Sequence, residues 1–149
     1  MSERLLSTVS VPNNERIARI IHQRHVQDDI VSPSAFSLRD RKPPENYMSV
    51  HRTDLISLTY EMAARVISRK LYGYAELVVA DVHACCIDNA FTRVVPYPTD
   101  GNKAHAGIHV IIDGHIAEGK GEACSCEFLE IASQLALCAV PVKLEAMMV

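Results

Sequence analysis

The sequence predicts a single α+β domain over residues 1–149, with a mixed or antiparallel sheet of about five strands and two packing helices. The chain has 149 residues, of which 48% are hydrophobic and 22% charged, as expected for one globular domain. Short β-rich apolar runs are interspersed with two segments of helical spacing. The dipeptide Asp113-Gly114 joins two such runs and is typical of an antiparallel hairpin.

The first half of the chain yields one predicted helix and several uncertain segments. Residues 5–11 alternate weakly and predict an edge strand. Residues 16–22 fit a strand or a helix, and helical spacing gives the cleaner apolar stripe. Residues 32–52 are predicted to be loop with short extended pieces. A helix should then begin at Thr53, end at Gly73 and pack against the strand around Leu77 through Leu58, Met62 and Val66.

The second half of the chain is richer in strands. Residues 75–87 form a nearly continuous apolar run and predict a central strand covered on both faces. Residues 93–95 and 104–112 predict two further strands, and the last returns through the Asp113-Gly114 turn. Ser125 should cap a second helix that carries Phe128, Ile131, Ala132, Leu135 and Cys138 and ends before Pro141.

Composition narrows the possible partners. A net charge of −3 argues against non-specific nucleic-acid binding over the whole surface. The chain has no Trp and few other aromatic residues, which disfavours a platform for base stacking. The apolar runs are shorter than the ~20 residues of a membrane span. Five cysteines, an odd number, indicate reduced thiols in a cytoplasmic protein, and no pattern predicts an oligomeric state.

The first candidate site is a cluster of arginines with a serine and a histidine. Arg19, His22, Arg39, Ser49 and Arg52 combine fork-shaped donors, a hydroxyl and a titratable ring, a set that suits a phosphate or nucleotide. In an extended segment, Ser49 and His51 would face one way, and Arg52 would share the side of Val50. The alternative is that the arginines are separate surface residues and the serines only cap turns.

The second candidate lies in the segment 103–109. On a strand, His105, Gly107 and His109 point to one face. The two histidines would stand about 13 Å apart and so could not share a metal ion. We expect His105 to close the anion pocket opposite Arg39 and Arg52. The alternative is a partly buried histidine whose hydrogen bonds only support a hairpin.

The cysteines offer weaker candidates. Cys85-Cys86 and Cys124-Ser125-Cys126 do not match the usual spacing of zinc ligands. Cys124 or Cys126 near a helix N-terminus could carry a reactive thiolate. Small buried cysteines explain the pattern equally well. We therefore expect neither a metal nor a cofactor.

Several short motifs carry a family resemblance. Ser34-Ala35-Phe36, then Ser49-Val50-His51-Arg52, and later Ala104-His105-Ala106 resemble the pattern of a group of small bacterial proteins without an established activity. The resemblance covers roughly residues 16–139. It implies a self-contained bacterial domain in which the positions most worth testing are Ser34, Phe36, Ser49, Arg52 and His105.

An early Arg or His on a strand, a middle Ser on a strand and a late polar residue are also similar in their order to ADP-ribosyltransferase-type folds, which bind NAD. The His-Gly-Thr-like start and the late catalytic Glu of those folds have no clear counterpart in this chain. This similarity implies a small enzyme with a nucleotide ligand.

Two functions remain open from the sequence. One is a non-catalytic binding or accessory protein, for which a protein partner is expected. The other is a small enzyme or sensor for a phosphorylated small molecule or a nucleotide, with ligand-binding residues Arg19, Arg39, Ser49, Arg52 and His105. Convergence of these five side chains on one cleft would favour the second.

Overall fold

The computed structural model of the chain describes residues 10–121, 123 and 125–146. Within these residues, the fold is α+β. The strands are β1 (Arg16–His22), β2 (Val26–Gln27), β3 (Ile30–Val31), β4 (Met48–Arg52), β5 (Leu71–Val78), β6 (Cys86–Ile87), β7 (Ala90–Pro96), β8 (His105–Ile112), β9 (His115–Ile116) and β10 (Val140–Lys143). The helices are α1 (Tyr60–Ala64), α2 (Val79–His83) and α3 (Cys126–Cys138), and short 3₁₀ turns cover Gln23–His25 and Pro33–Ala35.

The main sheet is antiparallel and larger than the predicted five strands. Its order is β10-β5-β1-β4-β8-β7-β6, and β9 pairs with β8 to make an eight-stranded sheet. The strands β2 and β3 form a separate two-stranded ribbon. The α+β class is therefore as predicted, whereas the number of strands and helices was underestimated because several elements span only two to five residues.

The core lies between one face of this sheet and α3. Alternate residues of β1 and β4, among them Ile17, Ile21 and Val50, are fully buried beside Phe128 and Leu135 of the helix. Burial of each such side chain contributes about 1.5–3 kcal/mol relative to exposure. The helix begins as predicted, since the Ser125 hydroxyl accepts a 3.2 Å hydrogen bond from the Phe128 N–H.

The hairpin prediction is confirmed by backbone geometry. Asp113 has a φ of 54° and Gly114 a φ of 78°, as a type I′ turn requires. The strand predicted at 93–95 lies within β7, and the strand predicted at 104–112 corresponds to β8. Residues 16–22, undecided from the sequence, form β1. The predicted edge strand at 5–11 falls almost wholly outside the described residues.

Two predictions in the middle of the chain are wrong. The apolar run 75–87 is not one strand, because β5 ends at Val78 and α2 follows directly. The helix expected from Thr53 is only α1, which the Thr59 hydroxyl caps. Residues 53–55 instead form a turn, in which the Leu55 N–H donates to the Arg52 carbonyl, and residues 56–59 are irregular.

The expected packing of that helix is also corrected. Leu58 packs in a small cluster with Ile20 and Leu71 rather than with Leu77, and Val66 is 62% exposed. Gly73 does not end a helix but lies within β5, with a φ of +153°. A Cβ there would stand 2.0 Å from the Val142 carbonyl oxygen on β10. This glycine therefore permits close pairing of β5 and β10.

The segment predicted as loop with short extended pieces contains β4, the strand that carries Ser49 and His51. β4 lies in the middle of the sheet, between β1 and β8. It is short and carries Ser49 and His51 where a buried strand would usually carry apolar residues, which explains why the sequence pattern did not indicate a central strand. In the part of the chain described, no helix is long and apolar enough to cross a membrane.

Candidate functional site

The candidate site is a cleft where β1 and β4 separate. β1 pairs with β5 from Arg16 to His22. Over the same described residues, its register with β4 comprises only two pairs, Ile17 with Arg52 and Ala18 with His51. Beyond them the strands diverge. The first half of β4 and the second half of β1 thus become opposite walls of a cleft.

Arg19 of β1 forms hydrogen bonds that connect the two walls of this cleft. Its Nη1 donates to the Ser49 carbonyl oxygen at 2.9 Å, and its Nε donates to the Ala35 carbonyl at 2.7 Å. Its Nη2 lies 3.4 Å from the Ser37 carbonyl. Burial lowers the pKa of the Arg19 guanidinium to about 10, so the group stays charged at neutral pH. Arg19 is thus in the predicted place, but its donors already bind the backbone.

The cleft has a volume of about 630 Å³ and a positive lining. Arg19, Arg24 and Arg39 line it against a single carboxylate, that of Glu45. This excess of positive charge occurs in a chain whose net charge is −3. The other polar side chains of the lining are His22, His25, Ser34, Ser37, Ser49 and His51. Such a concave, locally cationic surface attracts anions.

Two histidines in this lining hold fixed tautomers. The Nδ1 of His22 accepts a 3.0 Å hydrogen bond from the Arg24 N–H, and the Nδ1 of His25 accepts one from the His22 N–H at 3.3 Å. In each neutral ring the proton must therefore sit on Nε2, which remains a donor. Burial, with the charge of Arg24, lowers the pKa of His25 to about 4. His25 is therefore a neutral donor at physiological pH.

Arg39 lies at the cleft with part of its donor capacity engaged. Its Nε and Nη2 donate to the Glu45 carboxylate at 3.1 and 3.0 Å. Burial acts to raise the pKa of Glu45, yet the hydrogen bonds from Arg39 bring it below its usual value. The Arg39 side chain is 68% exposed. Its Nη1 has no hydrogen bond to any described residue, which leaves one guanidinium edge available for a ligand.

Ser49 and His105 form a hydrogen-bonded pair at the cleft. The Ser49 Oγ lies 2.7 Å from the His105 Nε2, and the His105 Nδ1 lies 3.1 Å from the Tyr97 carbonyl oxygen. Because a carbonyl oxygen can only accept, the neutral His105 carries its proton on Nδ1. The Nε2 therefore accepts from the Ser49 hydroxyl. Ser49 belongs to the cleft lining, and His105 contacts it from beside the lining.

His51 is one of the polar lining residues that the sequence-based prediction omitted, together with Arg24 and His25. It follows Ser49 on the same face of β4, lines the cleft and is 8% exposed. Its Nδ1 is buried and has no hydrogen-bond partner among the described residues. Burial and the neighbouring His105, with ring centroids 6.1 Å apart, lower the pKa of His51. A buried ring nitrogen without a hydrogen-bond partner is uncommon in native proteins and requires an explanation. The signal was present in the sequence as the alternation of Ser49 with His51.

The other histidine of β8 has a structural role. His109 is 2% exposed, and its Nδ1 donates to the Asn46 carbonyl at 2.9 Å, while its Nε2 accepts from the Tyr97 hydroxyl. The Tyr47 ring lies 6.0 Å from the rings of both His105 and His109. At Gly107, a Cβ would stand 2.4 Å from the Tyr47 ring. The space that the sequence predicted for a ligand above Gly107 is therefore filled by tyrosine.

Arg52 does not belong to the cleft, which corrects the predicted site. Its Nε and Nη2 bind the Glu15 carboxylate at 2.8 and 2.6 Å, and the two side chains are only 18% and 14% exposed. Hydrogen bonding to Glu15 raises the pKa of Arg52. Strand alternation places Arg52 on the face of Val50, opposite Ser49. The structure thus brings Arg19, Arg39, Ser49 and His105 together and leaves Arg52 outside.

Other motifs of the sequence serve the fold. The Ser32 hydroxyl accepts from the Ser34 N–H at 3.3 Å, as turn capping predicts, and Phe36 is fully buried in the core. Among the described cysteines, Cys85, Cys86, Cys126 and Cys138 are free thiols, and Cys124 lies outside the described residues. Burial raises the pKa of Cys85 to about 12. The described ranges contain no group of three or more His, Cys, Asp or Glu placed to hold a metal ion.

A second, smaller cleft of about 470 Å³ lies between the segment 10–13 and β7. Its histidine, His83, is already used on both ring nitrogens. Nδ1 lies 2.7 Å from the Asn13 Oδ1, and Nε2 accepts from the Val94 N–H at 3.1 Å. The histidine of this cleft therefore has no ring nitrogen left to bind a ligand, unlike His22 and His25 of the β1–β4 cleft.

Comparisons with protein-family models, with curated proteins and with solved structures found no match to this chain. The resemblance to small bacterial proteins and the similarity to ADP-ribosyltransferase-type folds stay expectations.

Proposed function

We propose that the protein binds a phosphorylated or otherwise anionic small molecule in the β1–β4 cleft. The observation that carries this proposal is the positive lining, in which three arginines face one carboxylate within a chain of net charge −3. An anion bound there gains charge-assisted hydrogen bonds, which are shorter and stronger than neutral ones.

Different arginines have different parts in this proposal. Arg19 already donates hydrogen bonds to three backbone carbonyls. It therefore contributes positive electrostatic potential to the cleft rather than direct contacts with the ligand. Arg39 and the exposed Arg24 retain free donors, and the Nε2–H groups of His22 and His25 add two more. The anionic group of the ligand would bind these side chains. The remainder of the ligand would extend along the lining toward Ser49 and His51.

A cleft of about 630 Å³ is in the range that holds small molecules. This size and the arginines of the lining favour a nucleotide or phosphorylated metabolite over a macromolecule. A protein partner remains the alternative for a non-catalytic accessory role. A binding protein without turnover is the simplest form of the proposal.

A thermal-shift titration tests this proposal. A ligand that binds only the native state raises the melting temperature with concentration. At constant ionic strength, a nucleoside monophosphate should stabilise the protein, whereas the matching uncharged nucleoside should not. Arg39→Ala should weaken the apparent affinity by roughly 10-fold or more, as expected for loss of one charge-assisted contact.

The matched control is Arg69→Ala, because Arg69 is exposed and lies outside the lining. This variant should bind like the wild type. Equal stabilisation by nucleoside and nucleotide, or equal weakening by the two substitutions, would contradict anion recognition in the cleft.

A further inference from the structure

The Ser49–His105 pair has a feature that anion binding does not require. A serine used only for recognition would keep its hydroxyl free for the ligand. Here the hydroxyl instead donates to an imidazole nitrogen that lies 2.7 Å away. The opposite ring nitrogen is held by the Tyr97 carbonyl at 3.1 Å, which fixes the tautomer that can accept a proton.

A nucleophile, a base and a group that orients the base form the constellation of covalent acyl-transfer sites. Ser49 supplies the hydroxyl, His105 the base, and the Tyr97 carbonyl the orienting acceptor. Distances of 2.7 and 3.1 Å lie within hydrogen-bond reach for both contacts. The same orientation by a backbone carbonyl occurs at His109, but there the accepting nitrogen is closed off by the Tyr97 hydroxyl.

Position in the fold distinguishes the two histidines. His109 is 2% exposed and lies outside the lining. His105 instead contacts Ser49, which is exposed and forms part of the cleft wall. The second cleft-lining residue on the same face of β4, His51, has a buried ring nitrogen without a partner. An ester substrate in the cleft would meet the Ser49 hydroxyl already hydrogen-bonded to its base.

We infer that Ser49 is a nucleophile activated by His105 and that the cleft hydrolyses carboxylic esters that carry an anionic group. This inference rests on the proposed function, because the cationic lining would hold the anionic end of the substrate.

The reaction proceeds in two balanced steps. The Ser49 Oγ adds to the ester carbonyl carbon while its proton passes to the His105 Nε2. The bond to the leaving alcohol then breaks, and that proton is returned to the alcohol oxygen, which leaves an acyl-Ser49. Water attacks this ester, His105 takes a proton from the water and returns it to the Ser49 Oγ, and the free acid departs.

Chromogenic p-nitrophenyl esters test the inference. One ester carries a neutral acetyl group and the other a hemisuccinate, whose free carboxylate supplies the anion. The wild type should release p-nitrophenol from both and prefer the hemisuccinate. Ser49→Ala should abolish release, and His105→Ala should slow it by about 10²–10⁴-fold, the usual contribution of a general base.

Three further readouts separate catalysis from structure. Mass spectrometry of the quenched wild type should find the acyl group on the peptide that contains Ser49. Imidazole added to the His105→Ala variant should restore part of the rate, which a merely structural histidine would not allow. Ser133→Ala, which removes a hydroxyl bonded to its own helix at Leu129, should keep the wild-type rate.

The outcomes also distinguish this inference from the proposed function. Nucleotide binding without ester hydrolysis, or hydrolysis that persists in Ser49→Ala, would overturn the catalytic inference and leave anion binding intact. Ser49-dependent hydrolysis without preference for the hemisuccinate would overturn the anionic substrate class. Melting temperatures of all variants, measured in parallel, show whether each is folded.

Discussion

The Arg19 guanidinium donates to the Ser49 carbonyl oxygen at 2.9 Å, at the point where the ladder between β1 and β4 has ended. The arginine thus supplies one donor that a neighbouring strand would otherwise provide. The opening between the strands can exist because the Ser49 carbonyl on its wall accepts a hydrogen bond from this side chain instead of from a strand.

Arg19→Ala should therefore destabilise the fold. Three backbone carbonyls would lose a charged donor, and we expect the free energy of unfolding to fall by about 3 kcal/mol, the upper range for such a hydrogen bond. Urea unfolding measures the change. The exposed Arg69→Ala is the control and should alter stability by less than about 0.5 kcal/mol. A similar small effect for Arg19→Ala would show that the tie is unimportant.

Arg52 provides a test that separates stability from binding. Because its ion pair with Glu15 is largely buried, Arg52→Ala should destabilise the protein while leaving nucleotide affinity unchanged. A double-mutant cycle with Glu15→Gln should give a coupling of about 1–2 kcal/mol, between exposed and fully buried pairs. A loss of nucleotide binding in Arg52→Ala would restore Arg52 to the site and contradict the assignment.

Gly107→Ala should disturb the tyrosine cluster. The added methyl group would meet Tyr47 at 2.4 Å and Tyr97 at 3.0 Å, so we expect a loss of about 1–3 kcal/mol from overpacking. Gly101→Ala is the matched control, because nothing lies within 4 Å of a Cβ there. Equal melting temperatures for the two variants would mean that the rings do not pack on Gly107.

Stability should fall on acidification, in part through His25. Burial and the charge of Arg24 lower the pKa of His25 from 6.5 to about 4. The unfolded chain therefore binds this proton at a higher pH than the folded protein does. Above about pH 6.5, His25 is neutral in both states and does not reduce stability. As the pH falls from 6.5 toward 4, its protonation in the unfolded chain increasingly favours unfolding.

Urea unfolding across this pH range measures the effect. His25→Gln should flatten part of the slope, whereas His115→Gln, at an exposed position of β9, should leave it unchanged. A wild-type slope retained in His25→Gln would assign the pH dependence to other groups.

Local sequence signals predicted those elements whose stabilising contacts are local. α3 was recognisable from Ser125 and its apolar stripe, and the β8–β9 hairpin from Asp113-Gly114, because a cap and a type I′ turn depend on adjacent residues. The short helix α1 was overestimated because Leu55 and Val66 follow helical spacing yet are 52% and 62% exposed. Spacing alone does not reveal which apolar residues find a partner.

The candidate site was predicted in part for the same reason. Residue chemistry selected Arg19, Arg39 and Ser49, which line one cleft, and His105, which contacts Ser49 from beside the lining. It could not show that Arg19 donates to backbone carbonyls or that Arg52 forms an ion pair with Glu15, which is distant in sequence. Those roles depend on long-range partners, which no local pattern encodes.

A two-dimensional ¹H–¹⁵N NMR titration with a nucleoside monophosphate tests whether an anion binds in the β1–β4 cleft. We expect saturable shifts at the backbone amides of Ser37, Arg39, Ser49 and His51, with the matching nucleoside producing none at the same concentration. Shifts confined to Asn13 and Arg93 of the second cleft, or shifts at the first set that persist unchanged in Arg39→Ala, would contradict it.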